Sequence, residues 1–229
     1  MINAVLFDKD GTLIDFNGTW GVWAKSFIRE LSDGNDDLAY DMARAIAFDL
    51  DAAKFHPESP VIAGTPDEGV RLLHPFLPNW DYDDLLSRSN QRAKEAPLAP
   101  VVDTPSFLSQ LRQRGFKLGV ATNDAESTAH DHMSALGVAD SFDVIIGSDS
   151  GFGGKPAPGM CLAFAEQVDV APEQIAMVGD STHDLIAGRA AGMTCVGVLT
   201  GVADAAALTP DADIVFPDIS HLPDWLLAS

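Results

Sequence analysis

Two aspartates at the end of an apolar segment are the residues of this chain best suited to chemistry. Asp8 and Asp10 follow the segment Ile2–Phe7, which predicts a buried strand, and Gly11 comes directly after them. Side chains two residues apart leave a strand on the same face, so these carboxylates would repel each other unless a cation or a shared proton lay between them. Mg2+, a hard cation that prefers oxygen ligands, suits such a pair. The segment therefore predicts aspartate-based chemistry at a strand end.

The composition is that of a globular protein with a packed core. The chain has 229 residues, of which 46% are hydrophobic, and this suits one domain of ordinary size with an insertion. No apolar run approaches the roughly 20 residues of a membrane span, and the first residues do not resemble a signal peptide. We therefore expect a cytoplasmic protein. Cys161 and Cys195 fall in a predicted helix and a predicted strand, so we expect buried thiols.

The net charge restricts the partners of the chain. A formal charge of −20 arises from 34 acidic residues spread along the sequence, and it opposes binding to nucleic acid or to anionic membranes. Most of this charge is explained by a solvated acidic surface. An anionic small molecule would be repelled by the same field, so a local lysine and a metal ion would have to attract it. The oligomeric state is not indicated by the sequence.

The chain between residues 16 and 97 differs in character from the rest. It has no β-branched runs and contains amphipathic stretches at Thr19–Leu31, Asp37–Asp51, Pro66–Leu73 and Tyr82–Ala96. These stretches predict an inserted, all-helical subdomain over residues 16–97. Residues 1–15 and 98–229 would then form the main domain, with the proline-containing segment 96–100 as the returning linker.

Strands and helices alternate after the insertion. This alternation predicts an α/β fold with a Rossmann-like, doubly wound parallel sheet. The predicted strands are Phe116–Ala121, Val144–Gly147, Gln174–Val178, Thr194–Val198 and Asp213–Phe216. The predicted helices are one that Thr104 caps and Gly115 ends, followed by Ala125–Leu136, Ala157–Val168 and Thr182–Ala191.

Ligands of such sheets bind at the carboxyl ends of the strands, so the residues that follow each strand are the candidates for a site. Besides the first pair of aspartates, they are Thr122, Asn123, Asp180 and Asp184, with Lys155 in a loop before a helix. Each alone also has a structural explanation, because such residues often cap the next helix or occupy its first turn. The ordered combination is more specific than its parts.

This combination resembles the haloacid dehalogenase superfamily of hydrolases. The family's nucleophile, phosphate-holding, lysine and acidic metal motifs are similar, in chain order, to Asp8–Leu13, Val120–Asn123, Gly154–Pro158 and Gly179–Asp184. The resemblance covers the whole chain, since the insertion lies where the family has its helical C1 cap. Residues 155–159 and 184–193 are most similar to the phosphoglycolate phosphatase branch, although many sugar phosphatases share these stretches. Two residues depart from the pattern: Lys9 stands where an apolar residue is common, and His183 where asparagine is common.

The resemblance implies a Mg2+-dependent phosphomonoester hydrolase acting on a small phosphorylated metabolite, with 2-phosphoglycolate as the first candidate. Asp8 would attack phosphorus and form an aspartyl-phosphate intermediate. Asp10 would protonate the leaving oxygen and later take a proton from water. Both would be catalytic residues, together with Thr122 and Lys155.

The same resemblance implies the ligands of the metal ion and of the phosphate. Mg2+ would be bound by Asp8, by the backbone carbonyl of Asp10 and by Asp180, with Asp184 supporting the waters of the ion. The phosphate oxygens would contact Lys155, Thr122 and Asn123.

The insertion would determine specificity for the leaving group. We assign no residue of it to this role: Trp20 and Trp23 are interpreted as core, and Arg44 and Arg71 as parts of solvated helix faces. The histidines outside the acidic motif have no metal-binding spacing and receive no role; they are His56, His74, His130, His132 and His221.

Several alternatives remain open on the same core residues. A sugar-phosphate phosphatase or a β-phosphoglucomutase-like phosphomutase would share all of them. A dehalogenase or a phosphonate-cleaving relative would not need Asp10, so its presence argues against both. A non-enzymatic phospho-acceptor domain would also group acids, a threonine and a lysine on a parallel sheet, but such domains lack a large helical insertion.

Overall fold

The chain divides into two compact units in the computed structural model, which describes residues 1–228. Unit 1 comprises Met1–Phe16 and the chain from Ala99 onward, and unit 2 comprises Asn17–Leu98. The last residue of the predicted segment 98–229 lies outside the described part. Each unit has its own cluster of buried apolar side chains. The assignment of the insertion as a C1 cap stays a prediction.

Unit 1 is built on a six-stranded sheet in which every neighbouring pair is parallel. The strands of the chain are β1 (Ala4–Phe7), β2 (Phe48–Asp49), β3 (Lys54–Phe55), β4 (Lys117–Ala121), β5 (Val144–Ile146), β6 (Ile175–Gly179), β7 (Thr194–Val198) and β8 (Ile214–Phe216). Their order in this sheet is β5-β4-β1-β6-β7-β8. The predicted α/β parallel sheet is therefore confirmed.

The central strand β1 is buried along its whole length. All four of its residues are 0% exposed, as expected of an apolar run that is covered on both faces of a parallel sheet. Phe7 pairs with Val120 of β4 and with Val178 of β6. The carboxyl ends of these three strands therefore lie level, and the residues that follow them are brought to one edge of the sheet.

The helices are, in chain order, α1 (Val22–Leu31), α2 (Asp36–Ala45), α3 (Pro66–Leu73), α4 (Tyr82–Ala93), α5 (Thr104–Gln113), α6 (Glu126–Ala135), α7 (Gly159–Val168), α8 (Thr182–Ala191), α9 (Ala205–Leu208) and α10 (Leu222–Ala228). The short helices α9 and α10 are missing from the sequence prediction. The cap of α5 also differs from the prediction: Asp103 accepts hydrogen bonds from the backbone and the hydroxyl of Ser106, and Thr104 is the first helical residue. Aspartate and threonine are both good caps, and only the backbone conformation decides between them.

Unit 2 contains four α-helices, a π-helical turn at Asn17–Gly21, a 3-10 turn at His74–Phe76 and one small antiparallel sheet formed by β2 and β3. The predicted helix 37–51 is wrong beyond Ala45, so the insertion is not all-helical. Ala47 has a φ of 48°, a left-handed conformation that ends the helical path. The rings of Phe48 and Phe55 then pack across the two strands with their centroids 4.7 Å apart.

Trp23 and Arg71 of unit 2 lie as the sequence predicts. Trp23 stacks on Phe27, with ring centroids 4.9 Å apart, in the core of the unit. Arg71 pairs with Asp67 of its own helix and remains 68% exposed. The interpretation of Arg71 as part of a solvated helix face is therefore supported.

Both cysteines are free and buried, as expected. Burial raises the pKa of the Cys161 thiol to about 12 and that of the Cys195 thiol to about 11. Within residues 1–228, no helix has the length and apolar composition that crossing a membrane requires.

Candidate active site

The candidate site lies where β1, β4 and β6 end. Asp8 follows β1, Thr122 follows the last residue of β4, and Asp180 follows β6. All three side chains are buried. The backbone N–H of Asp8 donates to the carbonyl of Val178 at 2.8 Å, which fixes the first aspartate against the neighbouring strand. Level strand ends thus bring Asp8 near side chains that are more than 100 positions away in sequence.

Three buried carboxylates form a cluster at this edge. Each of Asp8, Asp180 and Asp184 offers an oxygen, and these oxygens lie within 4.8 Å of one another. Asp184 also completes the capping box of α8, whose N-cap is Ser181, because its Oδ2 accepts hydrogen bonds from the backbone N–H of Ser181 at 3.0 Å and from its hydroxyl at 2.6 Å. Asp184 is therefore both a capping-box residue of α8 and a member of the acidic cluster. His183 lies beside it, half-buried in the first turn of α8.

Two glycines let the backbone approach Asp180 closely. Gly11 has a φ of 87°, and a Cβ at this position would lie 2.3 Å from Oδ2 of Asp180. A Cβ at Gly201 would lie 1.6 Å from the same oxygen. The Thr200 hydroxyl donates to the carbonyl of Gly11 at 2.5 Å, which joins the two backbone segments. The sequence analysis noted Gly11 after the two aspartates. It missed Thr200 and Gly201, although they follow β7 at the same edge of the sheet.

Lys155 is the cation of this cluster. Its Nζ lies 2.5 Å from Oδ1 of Asp8 and 2.6 Å from Oδ1 of Asp184. It also donates to the carbonyl of Ala121, the last residue of β4, at 2.7 Å. The structure therefore brings the predicted lysine to the predicted nucleophile.

The cluster is short of positive charge. Burial raises the pKa of Asp8 to about 7, helped by the negative charges of Asp184 and Asp10 and opposed by Lys155. Burial, with repulsion from Asp8 and Asp184, also raises the pKa of Asp180 well above its ordinary value. Burial alone would lower the pKa of Lys155, but the carboxylates of Asp184 and Asp8 outweigh it and raise this pKa. One ammonium faces three carboxylates, an arrangement that suits a further cation.

The donor set fits a hard divalent ion such as Mg2+. Every side-chain donor of the cluster is a carboxylate oxygen, and the oxygens are close enough for one ion to contact more than one of them. The carboxylate of Asp10 does not join this group among the described residues, so only its backbone carbonyl is left as the predicted ligand.

The side chains of Thr122 and Asn123 make different hydrogen bonds at the site. The Thr122 hydroxyl oxygen accepts a hydrogen bond from the backbone N–H of Asp124 at 3.1 Å, so its own hydrogen points elsewhere. The Asn123 side chain instead holds the backbone of Lys155: it donates to the carbonyl at 2.9 Å and accepts from the N–H at 2.8 Å. The contact of Asn123 with phosphate stays a prediction.

A second buried lysine lies beside the first aspartate pair. Lys9 is 0% exposed, and its Nζ lies 2.6 Å from Oδ2 of Asp10, 2.9 Å from Oδ2 of Asp124 and 3.2 Å from Nδ1 of His132. Asp8 and Asp10 thus contact different lysines, and no single cation is needed between their carboxylates. Sequence reasoning gave His132 no role and missed Asp124. The sequence feature that weakly indicated this polar contact was the pair Thr128 and His132, which lie four residues apart on the buried face of α6.

Comparison with known proteins identifies the family. A family model described as haloacid dehalogenase-like hydrolase matches residues 2–192. The chain belongs to this family. A phosphoglycolate phosphatase of Neisseria meningitidis is 37% identical over 249 aligned positions, which cover 100% of this chain and 90% of the relative.

Solved structures share the fold. A predicted phosphoglycolate phosphatase from Haemophilus somnus superposes with a TM-score of 0.74 at 18% identity, covering 98% of both chains. A β-phosphoglucomutase from Clostridium difficile superposes with a TM-score of 0.66 at 17% identity, covering 100% of both chains. Family and relatives together place this haloacid dehalogenase-like hydrolase among the phosphatases, in the phosphoglycolate phosphatase-like branch.

Proposed function

We propose that the chain is a Mg2+-dependent phosphomonoester hydrolase that acts through an aspartyl-phosphate, with 2-phosphoglycolate as its first candidate substrate. The observation that carries this proposal is the contact of the Lys155 ammonium with Asp8 inside the buried cluster of three carboxylates. The substrate follows from the name of the Neisseria meningitidis relative. The free, buried thiols support a reducing compartment, and we propose the cytoplasm.

Asp8 is proposed as the nucleophile. A carboxylate oxygen of Asp8 attacks phosphorus, the bond to the leaving oxygen breaks, and a bond between Asp8 and phosphorus forms. Water then attacks the same phosphorus and breaks that bond, which releases inorganic phosphate and restores Asp8. Two displacements of moderate difficulty replace one difficult displacement.

Asp10 is proposed as the general acid and base. In the first step its carboxyl proton passes to the leaving oxygen, and in the second step its carboxylate takes a proton from the attacking water. Its side chain is 15% exposed, so it is accessible to water.

Lys155 and Thr122 are proposed to hold the phosphoryl oxygens. The ammonium is fixed by three contacts, and Asn123 fixes the backbone that carries it. The Thr122 hydroxyl, whose oxygen is already used by the N–H of Asp124, is a directed donor. Donors that are in place before the reaction stabilise the charge of the transition state without reorganisation.

Asp8, Asp180 and the backbone carbonyl of Asp10 are the proposed ligands of Mg2+, with Asp184 supporting them. When bound, the ion would offset the excess negative charge of the cluster and reduce its repulsion of a phosphate. We further propose that unit 2 selects the leaving group, because the residues placed in unit 1 account for the phosphoryl group alone.

The first test is steady-state phosphate release, with and without Mg2+, from a panel of 2-phosphoglycolate, sugar phosphates and nucleotides. We expect Mg2+-dependent hydrolysis with the highest kcat/KM for 2-phosphoglycolate. Preference for a sugar phosphate would keep the mechanism and reject the substrate. Activation by a sugar bisphosphate, with transfer of the phosphoryl group back to substrate, would instead indicate a phosphomutase. No turnover of any phosphoester would reject the proposal.

Replacing Asp180 with asparagine should have opposite effects on stability and on metal binding. Without metal, Asp180→Asn should stabilise the protein, because it removes a buried carboxyl group that can either keep a poorly compensated charge or take up a proton, both at a cost in free energy. Burial raises the folded-state pKa of Asp180, so the native state holds a proton that the unfolded state has released. The contribution of Asp180 to the stability of the wild type therefore falls as pH rises above about 3.8. The stability of Asp180→Asn relative to the wild type should increase over the same pH range.

With Mg2+, the order should reverse. Saturation at 100 times Kd should raise the melting temperature of the wild type by about 5–10 °C, and that of Asp180→Asn much less. Thermal unfolding with and without Mg2+ measures this. Asp36→Asn, which removes an aspartate whose side chain is 77% exposed, controls for the change in net charge. An equal Mg2+ shift in wild type and Asp180→Asn would contradict the proposed ligand.

A further inference from the structure

The buried lysine next to the nucleophile has no part in the mechanism described so far. We propose that Lys9 is a positioning residue that holds the Asp10 carboxyl group, through its Oδ2, in the orientation for proton transfer, with Asp124 and His132 holding Lys9 in turn. This inference rests on the proposed role of Asp10.

The burial of Lys9 argues that its ammonium has a specific task. Lysine side chains are almost never fully buried without a partner, because moving the charge out of water is strongly unfavourable. Lys9 is 0% exposed, and the nitrogens and oxygens of three side chains lie within 3.2 Å of its Nζ.

The geometry connects this ammonium to the reacting groups. Of the contacts named above, the one to Oδ2 of Asp10, the proposed acid and base, is the shortest at 2.6 Å. Oδ2 of Asp124 lies 2.9 Å from the same Nζ, and the backbone N–H of Asp124 donates to the Thr122 hydroxyl oxygen. Lys9 therefore links the group that moves the proton to the strand end that carries a proposed phosphate donor.

His132 anchors the network to a helix. Its side chain is 0% exposed on α6, and its Nδ1 lies 3.2 Å from Nζ of Lys9. A flexible lysine side chain held by two carboxylates and one imidazole loses most of its rotational freedom. A carboxylate tied to such a fixed ammonium is itself restricted, which is the condition for efficient proton transfer at a defined distance.

The test compares substrates that differ in their need for an acid. The single variant Lys9→Met would leave two carboxylates without a cation and is expected to lose stability, so the double variant Lys9→Met/Asp124→Asn is the main probe, since it removes one charge of each sign. For this variant, kcat/KM for an alkyl phosphate should fall about 100-fold, because general acid catalysis contributes at least about that factor. For p-nitrophenyl phosphate, whose leaving group needs little protonation, kcat/KM should fall less than about 5-fold.

A crystal structure of the double variant provides a second readout that does not depend on turnover. We expect the Asp10 carboxylate to leave the position that it has in the wild type. Lys117→Met, which removes a half-exposed lysine paired with Asp143, is the matched control and should resemble the wild type in both measurements.

Three results would overturn the inference: an unchanged kcat/KM for the alkyl phosphate, equal losses for both substrates, or an Asp10 carboxylate that keeps its place in the double variant. The position of Asp10 in the crystal structure tests the inference even if the wild type hydrolyses no phosphoester. That absence of turnover would separately reject the proposed function.

Discussion

Replacing Asp8 with asparagine should lower kcat for phosphate release by at least about 10^4-fold while the protein stays folded. The amide of asparagine cannot attack phosphorus, so the covalent intermediate does not form. Folding should be preserved, because the substitution keeps the size of the side chain and relieves repulsion in a cluster of three buried carboxylates. Steady-state kinetics and thermal unfolding measure the two effects.

A covalent readout makes this expectation specific to the nucleophile. Wild type that is mixed with a phosphoester radiolabelled in its phosphoryl group and then quenched with acid should carry the label. Hydroxylamine should remove this label, because it cleaves acyl phosphates. Asp8→Asn should carry no label. Asp36→Asn serves again as the control for lost negative charge. Phosphate release by Asp8→Asn at the rate of the wild type would rule out Asp8 as the nucleophile.

Replacing Lys155 with methionine should reduce both activity and stability. The variant loses the cation that contacts Asp8 and Asp184, so kcat/KM should fall by at least about 1000-fold. Removal of one partner of a buried ion pair costs about 3–5 kcal/mol of unfolding free energy, because the remaining charges are uncompensated. Urea unfolding without Mg2+ and kinetics with Mg2+ measure the two losses, and Lys117→Met is the exposed-lysine control.

The double variant Lys155→Met/Asp184→Asn separates charge balance from phosphate binding. Removing one carboxylate along with the ammonium should recover part of the lost stability but none of the lost activity. If the double variant regained activity, Lys155 would be only a structural counterion of the cluster.

Much of the fold was predictable because its determinants are local. The strands of unit 1 are short apolar runs, and glycines mark the ends of several helices, so the alternating pattern indicated a parallel sheet. The segment after α2 could not be predicted in this way. Its path depends on the left-handed Ala47 and on the packing of Phe48 against Phe55, which are a single backbone conformation and a tertiary contact.

The acidic cluster was predictable for a different reason: parallel strands end at a common edge, so Asp8 and Asp180 had to meet. The directions of side chains were not predictable. Nothing in the spacing shows that Lys9 contacts His132, 123 positions away, or that the Asn123 side chain turns to the backbone of Lys155. These contacts depend on the packing of α6 and of the Lys155 loop against the sheet.

The close backbone approach of Gly11 and Gly201 to Asp180 has a consequence for how such a protein can change over evolutionary time. No side chain fits at either position without displacing the Asp180 carboxylate. Single substitutions therefore cannot gradually reshape this wall of the site. New substrate preferences in a lineage with this arrangement would have to arise from segments that do not touch Asp180, so the phosphoryl-handling end can stay constant while the choice of substrate diverges.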